Sequence, residues 1–217
     1  MNLAVHPKRP TCERCLRAQS SCICGWITVL APAAQVLILQ HPLEIHQAKG
    51  SGRLLHLSLE GSVLVHGEQF EEEALRRLLH ADAAGKPIRP VLLYPLLYPD
   101  APGGSPAQAL PDSSVPARLR LVILDATWRK SRKMLYLNPL LQQLPRLPLV
   151  DPPASQYRIR KAHRDDQLST LEAACHALAQ LEADQSKYLP LLQAFDGFVA
   201  QQSAYLPDPS GLSDPPA

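Results

Sequence analysis

Residues 119–124, LRLVIL, leave no room for a wet face, since five of the six are apolar. Such a run predicts a strand buried on both sides of a sheet. Further apolar runs at 33–40, 62–65, 90–94 and 147–150 predict four more strands, and Pro42 stops the first because proline supplies no ladder donor. Between them the spacing changes to helical. Residues 49–59, 71–83, 168–183 and 188–205 each place leucines or aromatics on one stripe, and a further helix begins at Trp128 and stops at Pro139. Strands alternating with helices predict an α/β domain built on a parallel sheet with helices on both faces. Residues 1–11 and 207–217 have no periodicity and are expected to be a flexible lead and a disordered tail. The segment 96–115, rich in Pro, Gly and Ser, is expected to be a long loop acting as a lid.

Ligands in open α/β sheets bind beyond the carboxyl ends of strands, which directs attention to Asp125-Ala126-Thr127-Trp128. Thr127 suits an N-cap, and Trp128 is expected to anchor the core under the sheet. Arg129 and Lys130 then fall in the first helical turn, where a cation opposes the helix dipole at a cost of about 0.3–1 kcal/mol each. With Arg132 and Lys133 they make four cations in five positions, a broken local rule that points to anion binding. Gln40, His41 and Glu44 lie at the end of the first strand, but His41, Glu44 and His46 match no helical metal-ligand spacing. Gly50-Ser51-Gly52-Arg53 reads as an anion cradle or a plain turn. Ser169 and Glu172 form a capping box, and Cys175 falls on the apolar stripe as a core thiol.

Composition changes the picture little. The chain has 217 residues, 46% of them hydrophobic, enough for one core. It has no apolar run of membrane-spanning length and no signal-like amino terminus, so a cytoplasmic protein with no membrane role is expected. Its 22 prolines cluster in loops and the tail. Net charge is only +2, so the distribution matters more, with a second basic cluster at Arg158, Arg160, Lys161, His163 and Arg164.

Cys12-x2-Cys15-x6-Cys22-x-Cys24 places four thiols within thirteen residues. Disulfides are disfavoured in a reducing compartment, and a redox Cys-x-x-Cys would leave Cys22 and Cys24 without a role. A structural zinc held by all four is the preferred reading, giving a small zinc knuckle over 12–25 ahead of a catalytic domain over 26–206. Arg14 and Arg17 would then sit on a rigid knob, suited to contacting a phosphate backbone.

Asp125-Ala126-Thr127-Trp128 resembles the signature of the DTW-domain family, whose members are similar to tRNA-uridine aminocarboxypropyltransferases. Gln40-His41-Pro42-Leu43-Glu44, Leu93-Tyr94-Pro95 and Leu168-Ser169-Thr170-Leu171-Glu172-Ala173 agree with it, in the family's order and behind the cysteines. The resemblance implies a SPOUT-like sheet whose carboxyl-terminal knot shapes an S-adenosylmethionine pocket. It places Leu93, Tyr94, Pro95, Leu124, Asp125, Ala126, Thr127, Ser169, Thr170, Leu171 and Glu172 in that pocket. The reaction it implies moves the 3-amino-3-carboxypropyl group to N3 of a uridine in tRNA and releases methylthioadenosine. Uridine N3 must lose a proton to attack, and Asp125 is the expected general base. Arg14, Arg17, Arg129, Arg132, Lys133, Arg158, Arg160 and Lys161 are expected to hold tRNA phosphates. The competing readings are an S-adenosylmethionine-dependent RNA methyltransferase and a non-catalytic zinc-knuckle RNA-binding module. The number of subunits is not indicated by the sequence.

Overall fold

The computed structural model of the chain describes residues 10–96, 116–153, 155 and 168–205. Its strands are β1 (Gln35–Gln40), β2 (Val63–His66), β3 (Arg89–Leu93), β4 (Leu119–Asp125) and β5 (Arg146–Leu147). They form one sheet in the order β2-β1-β4-β3-β5, with every neighbouring pair parallel. The helices are α1 (Gly52–Ser58), α2 (Glu72–His80), α3 (Trp128–Leu137), α4 (Pro139–Gln142), α5 (Thr170–Glu182) and α6 (Leu189–Ser203). No described helix is long and apolar enough to cross a membrane.

The period-two alternation of strands sorts their side chains into two cores. Val36 and Ile38 of β1 join Leu121 and Ile123 of β4 on the face covered by α1, α5 and α6. Leu37, Leu39, Val122 and Leu124 meet α2, α3 and α4 on the other. Helices therefore lie on both faces, and all seven residues of β4 are buried because it has a strand on each side and a core above and below.

Boundaries differ where proline intervenes. The strand expected over 147–150 is only Arg146–Leu147, flanked by Pro145 and Pro148, neither of which can donate to a ladder. Pro90 is tolerated inside β3 because β5 reaches only as far as Leu92 and Leu93. The helix expected over 49–59 starts at Gly52, so Gly50 and Ser51 lead into α1, and Gly52 and Arg53 form its first turn. The carbonyls of Ala48 and Gly50, just ahead of the helix, accept from Arg17. The knot that the resemblance implies would involve the segment before α5, most of which lies outside the described residues. So do most of the 96–115 loop, the lead and the tail.

The four-cysteine segment is built into the main core. Cys15 and Ile23 are buried with α6, Gln201 donates to the Cys22 carbonyl at 3.1 Å, and Tyr205 donates to the Ser20 carbonyl.

Candidate active site

β1 and β4 end together, with Gln40 opposite Asp125 in register. The chain leaves β1 through α1 on one face and leaves β4 through α3 on the other, so this pair lies at a topological switch point, where open α/β sheets leave a crevice. A cavity of about 460 Å³ opens at the carboxyl edge, between the ends of β3, β4 and β5 and the start of α5. That volume is within the range of small-molecule sites.

Of the residues expected in the pocket, Leu93, Tyr94, Pro95, Leu124, Ala126, Ser169 and Thr170 line the cavity. Asp125, Thr127, Leu171 and Glu172 do not. Thr127 is the N-cap of α3, accepting from the Lys130 amide at 3.4 Å. Leu171 is buried in the core, and its amide donates to Ser51 Oγ at 3.3 Å. The capping box is complete: Ser169 N donates to Glu172 Oε2 at 2.7 Å, and Glu172 N to Ser169 Oγ at 3.2 Å. Glu172 also receives Ser155, 2.9 and 3.1 Å away. Two amides at the start of α5 are thus spent on Ser51 and Ser169.

Asp125 is only 5% exposed. Gln40 Nε2 donates to its Oδ2 at 2.7 Å, and Thr170 Oγ1 donates to its Oδ1 at 2.6 Å. The carboxylate is therefore one hydroxyl behind the cavity wall and not part of that wall, where the resemblance would put it. Parity explains the direction. Asp125 has the odd register of Leu121 and Ile123, which face α1 and α5, and Gln40 shares that face with Val36 and Ile38.

Gly52, the first residue of α1, makes room for this carboxylate. A Cβ at that position would come within 2.2 Å of Asp125 Oδ2. Gly52→Ala is therefore expected to lower stability by about 1–3 kcal/mol through overpacking, although alanine favours a helix by about 1 kcal/mol. Urea denaturation measures it; a variant as stable as its parent would put the carboxylate elsewhere.

The expectation that Trp128 is a core anchor is also corrected. It is 39% exposed at the head of α3 and forms part of the cavity wall, edge-on to Tyr94 at 5.7 Å. The first helical position lies just past the strand end, so the ring faces the crevice instead of the sheet interior. Tyr94 is buried, with the Arg146 guanidinium 5.3 Å over its ring. Ser131 Oγ donates to the Trp128 carbonyl, so at 3.4 Å it accepts from the Tyr94 hydroxyl. Sequence reasoning missed Ser131 and the strand-end residues Pro148 and Leu149, which also line the cavity. Their signal is sheet order, which a single sequence does not carry.

The cations of α3 divide by partner. Lys130 is paired with buried Glu44 at 2.7 Å, which accounts for a positive charge in the first turn. Lys133 pairs with Glu68 at 2.9 Å, and His41 Nε2 meets the same carboxylate at 2.9 Å. His41 Nδ1 accepts from the Leu43 amide, so its proton is on Nε2. The hydrogen bonds from His41 and then Lys133 hold the Glu68 carboxyl below its ordinary range. Arg129 is exposed, as is Arg14. Arg17, expected at the phosphate backbone, instead donates to the Ala48 and Gly50 carbonyls and lies over the Phe198 ring, fastening the cysteine segment to the core. Arg158, Arg160 and Lys161 lie outside the described residues.

The four sulfurs of Cys12, Cys15, Cys22 and Cys24 all lie within 4.8 Å of one another. Cys12 and Cys24 are 3.6 Å apart, Cys15 and Cys22 3.8 Å. A tetrahedral zinc with bonds of about 2.3 Å needs sulfurs about 3.8 Å apart, so the set fits zinc. Amides of Cys15 and Arg14 lower the Cys12 thiol pKa, whereas burial raises that of Cys24. Four sulfur donors close the shell and leave no position for substrate.

A parallel sheet with a cavity at its carboxyl edge, a basic helix beginning there and four converging cysteines define an α/β protein with a small-molecule-sized cavity and a cysteine set that fits a metal ion. The chain belongs to the DTW domain family, whose profile matches residues 9–203. It is 30% identical over 94% of its length to tRNA-uridine aminocarboxypropyltransferase 2 of Macaca fascicularis, covering 69% of that protein. It is 32% identical over 81% of its length to the Drosophila melanogaster protein of the same name, covering 68% of it. An Arabidopsis thaliana relative, tRNA-uridine aminocarboxypropyltransferase A, is 29% identical over 59% of the chain and is covered over 51% of its own length. No solved structure matches the chain.

Proposed function

We propose that this chain transfers the 3-amino-3-carboxypropyl group of S-adenosylmethionine to N3 of a uridine in tRNA. The observation that carries the reading is the cavity at the ends of β3, β4 and β5, backed by the Thr170–Asp125 hydrogen bond, in a chain related along most of its length to enzymes named for this activity. The largely apolar wall suits the adenosine and thioether parts of the donor, and Trp128 offers a flat surface for a base. Asp125 is the final proton acceptor in this reading, since Thr170, which lines the cavity, donates to its Oδ1 at 2.6 Å. The SPOUT likeness stands as part of the same reading. Zinc, held by Cys12, Cys15, Cys22 and Cys24, has a structural part only.

Arg129, Arg132 and Lys133 on α3, with Arg14, Arg158, Arg160 and Lys161, hold tRNA phosphates in this reading. Replacing Arg129, Arg132 and Lys133 by Ala is expected to weaken tRNA binding and to flatten its log–log salt dependence by about 0.7–0.9 for each phosphate that is no longer neutralised. Binding measured across a salt series checks this; an unchanged slope removes α3 from the interface.

The activity itself is tested by incubating the protein with bulk tRNA and S-adenosylmethionine and analysing the nucleosides by mass spectrometry. The expected products are aminocarboxypropyl-uridine and methylthioadenosine. Methylated nucleosides with S-adenosylhomocysteine would make the chain a methyltransferase, and no product would leave an RNA-binding module.

A further inference from the structure

We infer that the Thr170 hydroxyl is the group that touches the uridine, taking the N3 proton as it delivers its own to Asp125, and that this same bond selects uridine over cytidine. The inference rests on the transfer reading above and assigns a step within it.

Burial separates Asp125 from substrate. Its carboxylate is 5% exposed, contributes nothing to the cavity wall, and is held by Gln40 and Thr170 at 2.7 and 2.6 Å. Thr170 does line the cavity. A hydroxyl has one proton and two lone pairs. Because Thr170 donates its proton to Asp125, it offers the cavity only lone pairs. The group it can receive there must be a donor. Uracil presents N3–H between two carbonyls, whereas cytosine has an unprotonated acceptor at N3 and would leave both partners unsatisfied, at a cost of the kind that gives sites built around one hydrogen bond their selectivity.

The step balances. The N3 proton passes to Thr170 Oγ1 while the threonine proton passes to Asp125 Oδ1. N3 forms its bond to the γ-carbon of the donor, and the carbon–sulfur bond breaks with its electron pair going to sulfur. The positively charged sulfonium becomes neutral methylthioadenosine, and the proton on Asp125 later returns to solvent. Gln40, hydrogen-bonded to Asp125 Oδ2, keeps the carboxylate turned towards Thr170 and is a positioning residue.

Thr170→Val removes the hydroxyl and keeps the shape; Thr170→Ser keeps the hydroxyl. Single-turnover transfer to tRNA at saturating S-adenosylmethionine should fall about 100-fold or more in the valine variant, the range of a lost general base. The serine variant should stay within a few-fold of the parent. Titration calorimetry should give S-adenosylmethionine affinity within about 2-fold for all three. The valine variant, which must rely on solvent hydroxide as its base, should gain rate more steeply with pH than the parent. A valine variant with the parent's rate and pH profile overturns the relay. So does a valine variant whose only defect is weaker donor binding, because Thr170 would then be receiving the donor's ammonium group. A parent enzyme that forms no aminocarboxypropyl-uridine overturns the transfer reading itself, and the relay with it.

Discussion

Asp125→Asn is expected to lower the rate of aminocarboxypropyl transfer by about 10²–10⁴-fold while leaving tRNA and S-adenosylmethionine affinities within a few-fold. The amide has the carboxylate's shape and can still accept from Gln40, so the ends of β1 and β4 should stay joined. What it loses is the capacity to take a proton from Thr170. Binding and chemistry separate in this variant because Asp125 lies behind the wall and contributes no surface to the cavity. Asp125→Ala is a poorer probe, since it would leave Gln40, itself 3% exposed, without this partner. Single-turnover kinetics alongside calorimetry reads the effect. Normal turnover would remove Asp125 from the chemistry, and loss of folding would make it a structural residue.

Loss of zinc is expected to have the largest effect on stability. The four thiols should bind one zinc per chain, which elemental analysis counts. Cys15 is 2% exposed and Ile23 fully buried against the same core as Phe195 and Phe198, so releasing the knuckle opens the face that α6 covers. Binding energy of a structural zinc is folding energy, on the order of 10 kcal/mol for isolated zinc fingers, and native domains have only about 5–15 kcal/mol in total. Even a third of that should lower the melting temperature by about 10 °C in a chain of this size. Cys15→Ser, or treatment with a strong chelator, followed by thermal unfolding, tests this. A metal-free protein that melts at the parent temperature would contradict it.

Much of the fold is legible because its signals are local. The β4 run, the Thr127 cap and the Ser169–Glu172 box follow from residue type and spacing, and all are where those rules put them. The cysteine spacing likewise anticipates four converging sulfurs. What the sequence hides is which element covers which side chain. Period-two alternation can turn Asp125 to the side of Leu121 and Ile123, but nothing in the chain announces that Gly52 and Thr170 meet it there. Trp128 reads as a core residue because large aromatics usually are buried; its place one residue beyond a strand end exposes it to the crevice. Arg17 has the look of a phosphate ligand and is instead a cross-link between loops, since two carbonyls of the loop ahead of α1 come within its reach. The proline-bounded β5 reads as longer than it is because apolar content outweighs the missing donors at 145 and 148.

The central claim is that the donor occupies the carboxyl-edge cavity with its reacting carbon beside Thr170. A crystal structure with S-adenosylmethionine or methylthioadenosine bound measures it most directly. The account predicts adenosine between the ends of β3 and β5, with sulfur directed towards the Thr170 hydroxyl. A ligand seated in the separate cavity between Phe70 and Asn138, or one with its sulfur facing away from α5, would contradict it.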